Sequence, residues 1–161
     1  MMRYVILFFT VVSILILSGC EQIQNQSSDA YSGKFQRSCL FSPEKIAFNQ
    51  LTERTQPGQI TAYIDVFDQF GSRIKAAGVW RFELFEYVPR SADPMGSRVN
   101  LWSDIELTDA VINNNAWQEY LHCYKFDLDI DTDLAGKTYI LQAVCFTADN
   151  RRLSDTVELK K

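Results

Sequence analysis

The chain contains the run Ile60-Thr-Ala-Tyr-Ile-Asp-Val-Phe-Asp68 and, beyond the turn-forming residues Gln-Phe-Gly-Ser72, the run Gly78-Val-Trp-Arg-Phe-Glu-Leu-Phe-Glu-Tyr-Val88. Apolar residues alternate with other residues along the first run, which is the spacing of a strand with one buried face. Pro89, Pro94 and Gly96 follow the second run and end it, because these residue types interrupt strands. The two runs predict two β-strands joined by a turn.

Five further runs have the composition of strands. They are rich in β-branched and aromatic residues and are separated by turn signals; they span residues 45–52, 99–107, 118–130, 138–147 and 156–160. A short helix is an alternative only at residues 108–117, where Thr108 or Asp109 could cap one or two turns. Seven strands predict an all-β fold, a single antiparallel β-sandwich of the immunoglobulin-like or transthyretin-like kind.

The N-terminus carries an apolar run behind one basic residue. Arg3 precedes residues 4–17, and Leu17-Ser-Gly-Cys20 closes the run. This segment resembles the signal of bacterial lipoproteins, which implies that residues 1–19 are a signal peptide and that Cys20 carries the lipid. The run is shorter than the roughly 20 apolar residues of a spanning helix, so an uncleaved membrane span fits it poorly.

The sequence predicts three parts: the signal peptide, a flexible tether over residues 20–33, and a β-domain over residues 34–161. The tether is polar and has little apolar surface to bury. In lipoproteins that this chain resembles, Asp directly after the lipidated cysteine favours the inner membrane. Glu21 stands there, so the resemblance implies a bacterial envelope protein at the outer membrane rather than the inner membrane.

Charge limits the expected partners. The net charge is −4, and the close basic pairs are confined to Arg151-Arg152 and Lys160-Lys161. Nucleic-acid binding requires clustered Lys and Arg, so no nucleic acid is expected as a partner. The expected partners are the membrane, through the lipid, and an envelope protein or polysaccharide.

Catalytic and cofactor motifs are not recognisable in the sequence. His122 is the only histidine, and it falls in a predicted strand with its side chain directed opposite to Cys123. Nucleophile, base and orienting group must converge, so a satisfied histidine at a strand start is expected, with no catalytic residue. No zinc, phosphate-loop or dinucleotide signature is present, and no cofactor is predicted.

Four alternating carboxylates suggest a calcium loop: Asp127, Asp129, Asp131 and Asp133. An EF-hand that starts at Asp129 would need Gly and Glu where the chain has Leu134 and Ile140. A site made by Asp131, Asp133 and loop carbonyls remains an alternative. The favoured interpretation is a solvated strand face with no metal.

Three cysteines follow Cys20. A hairpin could place Cys123 opposite Cys145, but alternation directs Cys123 outward and Cys145 inward, so Cys39 with Cys145 is the preferred disulfide. A register slip would change that assignment. The alternative is three small, buried or half-buried free thiols.

Four aromatic residues fall at outward positions of the two strands quoted first: Tyr63, Phe67, Phe85 and Tyr87. If the strands are neighbours in one sheet, the four rings form a candidate partner surface for a protein or a polysaccharide. The alternative is that loops or the tether cover them.

Segments of the β-domain resemble envelope lipoproteins of planctomycete-type bacteria. The matching segments are Asp65-Val-Phe-Asp-Gln-Phe-Gly71, Arg81-Phe-Glu-Leu-Phe-Glu-Tyr87, Tyr124-Lys-Phe-Asp-Leu128 and Arg151-Arg-Leu-Ser-Asp155. The group carries no assigned catalytic residues, so the resemblance implies the location and the sandwich alone.

The sequence is compatible with two functions. The favoured one is a membrane-anchored lipoprotein whose sandwich is a non-enzymatic binding or structural module. The alternative is a hydrolase or carbohydrate-acting enzyme that uses paired carboxylates such as Glu83, Glu86 and Asp104.

Overall fold

The structure, a computed structural model, describes residues 42–56, 58–131 and 134–160. Ten strands and one helix lie in these ranges. In chain order they are β1 Lys45–Phe48, β2 Glu53–Gln56, β3 Gln59–Phe67, β4 Gly78–Tyr87, β5 Met95–Leu101, β6 Ile105–Glu106, α1 Ala110–Ala116, β7 Trp117–Gln118, β8 Cys123–Asp129, β9 Tyr139–Thr147 and β10 Arg152–Leu159.

The strands form two five-stranded sheets. The first has the order β1-β3-β8-β7 with β2 also on β3, and the second has the order β10-β9-β4-β5 with β6 also on β4. Every strand pair is antiparallel. The predicted all-β antiparallel sandwich is therefore confirmed.

Three predicted strands are interrupted. Residues 45–52 contain β1 alone, and β2 begins just after them at Glu53; residues 99–107 divide between β5 and β6, and residues 118–130 divide between β7 and β8. At the first break, the Asn49 side chain accepts a hydrogen bond from the Leu51 amide, and the Asn49 carbonyl accepts one from the Thr52 amide. Such local bonds compete with the sheet ladder, which is why the strand ends there.

The core lies between the two sheets and is rich in aromatic rings. Trp80 and Phe82 of β4 pack against Tyr124 and Phe126 of β8, with ring centroids 4.8 Å apart for Phe82 and Phe126 and 5.3 Å apart for Trp80 and Phe126. All four rings are buried. Each contributes on the order of 1.5–3 kcal/mol of apolar burial, and this joins the sheets face to face.

Helix α1 lies where the sequence offered a short helix as an alternative, within residues 108–117. Asp109 is its N-cap, since its carboxylate accepts hydrogen bonds from the amides of Val111 and Ile112. Within the described residues, no helix has the length and apolar character to cross a bilayer. The signal peptide, Cys20, the tether and the start of the β-domain at residue 34 all lie outside the described residues and stay predictions.

Candidate contact surface

Five large apolar side chains are exposed at one end of the sandwich. They belong to the turn after β3, to α1 and to the turn between β7 and β8, and we call them together the apolar end: Phe70, Val111, Ile112, Tyr120 and Leu121. Phe70 is 72% exposed and Tyr120 is 101% exposed. Apolar side chains that are grouped and solvent-facing commonly mark a surface that contacts something else.

The turn that carries Phe70 is held rigidly. The buried carboxylate of Asp68 accepts hydrogen bonds from the amides of Phe70 and Ser72, both at 2.8 Å. Gly71 has φ +80°, a conformation that L side chains rarely adopt. Phe70 therefore points into solvent from a fixed backbone.

Helix α1 buries a polar residue and exposes apolar ones. Its buried residue is Asn113, whereas Val111 and Ile112 are 68% and 53% exposed. The Asn113 side-chain amide donates to the carbonyls of Ala76 and Leu107 at 2.9 and 2.8 Å. These bonds fix the rotation of the helix, and its apolar residues consequently face outward.

A tyrosine completes this buried network. The Tyr124 hydroxyl donates to Asn113 Oδ1 at 2.8 Å and accepts from the Ala76 amide at 2.8 Å. Burial raises the pKa of Tyr124 above its ordinary value, so the hydroxyl stays protonated and remains a donor. Buried polar groups that are fully bonded rigidify their surroundings, and here they lock α1 onto the sandwich.

Two cations join the three segments. Arg73 donates to the Leu121 carbonyl at 3.5 Å, and Lys75 donates to Asn114 of α1 at 2.8 Å. The Lys75 ammonium also lies 5.4 Å from the centre of the Trp117 ring. The turn that carries Phe70, the helix and the turn that carries Tyr120 are therefore neighbours.

His122 lies in this turn and not in a strand, so the predicted strand position is wrong. Its φ of +52° places it in the left-handed region, which ends the ladder between β7 and β8. The exposed imidazole makes an edge-on contact with Trp117 at 6.4 Å between ring centroids. The turn matters because it projects Tyr120 outward.

The four predicted surface aromatics do not share one face. Tyr63 and Phe67 lie on β3 in the first sheet, whereas Phe85 and Tyr87 lie on β4 in the second. The segment between β3 and β4 crosses from one sheet to the other and does not form a hairpin, so the predicted combined surface is wrong. All four rings are half-buried.

The carboxylates of the enzyme alternative are each paired with a cation on the outside of the second sheet. Glu83 contacts Arg98 at 3.1 Å, and Glu86 contacts Lys137 at 3.1 Å.

Asp104 accepts two bonds from Arg81, at 2.8 and 2.9 Å. This bonding lowers the pKa of Asp104, whereas a general acid needs a raised pKa.

Open hollows lie near both ends of the sandwich, and two of them contain none of these three carboxylates. One of about 310 Å³ lies beside α1, with Lys75, Leu107 and Asn113 in its wall. The other, of about 290 Å³, lies at the opposite end around Arg54, with Glu53 and Glu158. The carboxylates of the enzyme alternative therefore line neither of these two hollows.

The aspartate series lies largely on an exposed strand face. Asp127 is bonded to Lys125 and Thr61, and Asp129 accepts from Gln59. Asp131 is exposed, and Asp133 lies outside the described residues. Residues 42–56, 58–131 and 134–160 contain no cluster of three potential metal ligands.

The two described cysteines are buried free thiols. Cys123 lies on the face opposite to Tyr124, as alternation requires, but it is fully buried. The ion pair between Arg73 and Asp65, at 3.2 Å, lies near it on that face.

Burial raises the pKa of Cys123 and takes that of Cys145 to about 12, so neither thiol is a ready nucleophile. The structure lends no support to the predicted Cys39–Cys145 disulfide. Cys39 lies outside the described residues, and the pairing stays a prediction.

Comparison with known proteins does not assign a family. No protein-family model matches the chain, and no curated protein is significantly similar to it. Among solved structures, a hypothetical protein from Pyrococcus horikoshii OT3 aligns with a TM-score of 0.43 and 10% identity, over 74% of this chain and 89% of that one.

The apolar end was missed by sequence reasoning. Its residues are scattered over three segments, and Val111 and Ile112 look like core residues of a short helix. The one available signal is the triple asparagine at residues 113–115, because a helix with so many polar residues cannot bury all of them.

Proposed function

We propose that the chain is a lipid-anchored protein of the bacterial envelope whose β-sandwich works by contact and not by catalysis. The anchor is Cys20, and the contact surface is the apolar end. The observation that carries the second part is the polarity of α1, which buries Asn113 and exposes Val111 and Ile112.

The free-energy cost of exposing these apolar side chains supports a role for the apolar end in binding. Turning α1 so that two aliphatic side chains face water forgoes part of the roughly 1.5–3 kcal/mol that full burial of each would contribute. The neighbouring Phe70 and Tyr120 are exposed on turns that the backbone fixes. A ligand that covers these side chains would recover that free energy.

The anchor is tested by replacing its cysteine. Cys20→Ser should abolish labelling by a fatty-acid probe and release the protein from membranes. Unchanged membrane association in this variant would refute the lipid anchor.

The contact surface is tested by hydroxyl-radical footprinting of the full-length protein in native envelope membranes and after purification in detergent. Phe70, Tyr120 and Leu121 should be labelled less in the envelope than in the purified state. Leu101 and Val88, which are 47% and 43% exposed away from this end, serve as internal controls. Equal labelling of all five residues in both states would reject the assignment of the surface.

A further inference from the structure

We infer that the ligand of the apolar end is the lipid bilayer itself, so that the domain rests end-on upon the membrane to which it is anchored. This inference rests on the proposed lipid anchor. It assigns Phe70, Tyr120 and Leu121 to the boundary between head groups and acyl chains.

The position where the chain joins the domain is the first argument. The Glu44 amide donates to the Phe67 carbonyl at 2.7 Å, directly before the turn that carries Phe70. Arg151 binds Glu44 at 2.7 Å and also binds Ser42. The chain that leads back to Cys20 therefore leaves the domain from the apolar end.

The length of the preceding chain is the second argument. Residues 21–41 separate Cys20 from the described domain, and a chain of that length cannot span more than about 75 Å. The end at which this segment joins the domain is therefore the end that the anchor keeps close to the bilayer. Tethering raises the effective concentration at the membrane, so that even weak insertion is populated.

The chemistry of the exposed side chains is the third argument. Tyrosine is favoured at the head-group level, and Phe, Leu, Ile and Val are favoured at the acyl boundary. The nearby cations are engaged, Arg73 with Asp65 at 3.2 Å and Lys75 with Asn114 at 2.8 Å. Contact should therefore depend on apolar insertion and little on anionic lipid.

The experiment uses the full-length lipidated protein in vesicles of phosphatidylethanolamine and phosphatidylglycerol that contain brominated acyl chains, which quench tryptophan emission at close range. Tyr120→Trp places the reporter at the apolar end, and Phe70→Trp is a second reporter in case the first perturbs the fold. Val88→Trp is the matched control, since Val88 follows β4 at the opposite end and is 43% exposed. Emission of the unsubstituted protein, which contains Trp80, Trp102 and Trp117, is subtracted.

The added emission at positions 120 and 70 should be quenched several-fold more than that at position 88. Replacing phosphatidylglycerol by phosphatidylcholine should leave the difference unchanged. Equal quenching at the two ends would overturn the inference, and so would blue-shifted but unquenched emission at position 120, which would mean that protein covers it. Failure of the unsubstituted protein to float with the vesicles would instead refute the anchor on which the inference rests.

Discussion

The two ends of the sandwich satisfy the hydrogen-bonding needs of their backbone carbonyls in different ways. At the end opposite to α1, Arg54 donates to the carbonyls of Leu134, Lys137 and Lys160, so a cation satisfies the loop backbone and stays at the surface. At the apolar end, a buried amide satisfies the backbone and leaves aliphatic and aromatic side chains outside. The first end therefore presents a charged group to water, whereas the second presents apolar side chains that suit an apolar ligand.

The largest effect is expected from removal of the buried amide. Asn113→Leu would leave the carbonyls of Ala76 and Leu107 and the hydroxyl of Tyr124 without this partner. Buried polar groups left unpaired cost about 1–3 kcal/mol each, so the free energy of unfolding should fall by about 3 kcal/mol in urea titrations. Asn115→Leu is the control, because Asn115 is an exposed residue of the same helix. A similar loss in both variants would mean that the asparagines matter only for helix propensity.

A smaller loss is expected at the other end. Arg54→Gln removes a charged donor to three backbone carbonyls, and its partial exposure limits the cost to about 1 kcal/mol. Chemical unfolding measures this loss of stability when Arg54→Gln is compared with the control Arg152→Gln, which replaces an exposed arginine on β10. If the two variants are equally stable, the carbonyls are satisfied by water and the contrast between the ends is weaker than proposed.

Acid should weaken the place where the chain joins the apolar end. Hydrogen bonds from Thr147, and then from Arg151, lower the pKa of Asp149 below 3.8. Since the folded-state pKa is the lower one, the stabilisation is present above pH 3.8 and is lost as the pH falls through the folded value. The unfolding free energy of Asp149→Asn should therefore depend less on pH in this window than that of the unsubstituted protein. Parallel curves of unfolding free energy against pH for the two proteins would show that Asp149 does not contribute to the pH dependence of stability.

The smallest effect on stability is expected from the exposed rings themselves. Phe70→Ser combined with Tyr120→Ser should change the free energy of unfolding by no more than about 0.5 kcal/mol, because substitutions of exposed side chains rarely cost more. Circular dichroism during urea unfolding measures this. A loss of several kcal/mol would place the rings in the core and end the distinction between the two ends.

Sequence reasoning reached the core with few errors. Trp80, Phe82 and Leu84 on β4 are buried on the face opposite to the predicted outward residues Phe85 and Tyr87, and Tyr124, Phe126 and Leu128 on β8 are buried on the face opposite to Cys123. The errors concern strand limits and neighbours. Asn49 and His122 interrupt predicted strands through side-chain hydrogen bonding and a left-handed backbone, which a count of apolar residues does not detect.

The candidate site was predicted much less well. The four outward aromatics were assigned to the correct faces of their strands, but the pairing of β3 with β4 was wrong. Residues 68–77 contain turn signals that fit either a hairpin or a crossing between sheets. Whether β3 and β4 form a hairpin or lie in different sheets depends on the pairing of β8 with β3 and of β9 with β4. These pairings join residues that are far apart in sequence.

The sequence by itself predicted that this protein is a β-sandwich, because apolar residues recur with a period of two in several runs and no long amphipathic helix is available to cover a sheet. The signal and the anchor at Cys20 also remain sequence inferences, since they fall outside the described residues. Only the tertiary structure decided which apolar residues are left in solvent. The burial of Asn113 depends on carbonyls of Ala76 and Leu107, which belong to other segments of the chain. Those partners exist only once the sandwich has formed, and they turn Val111 and Ile112 outward.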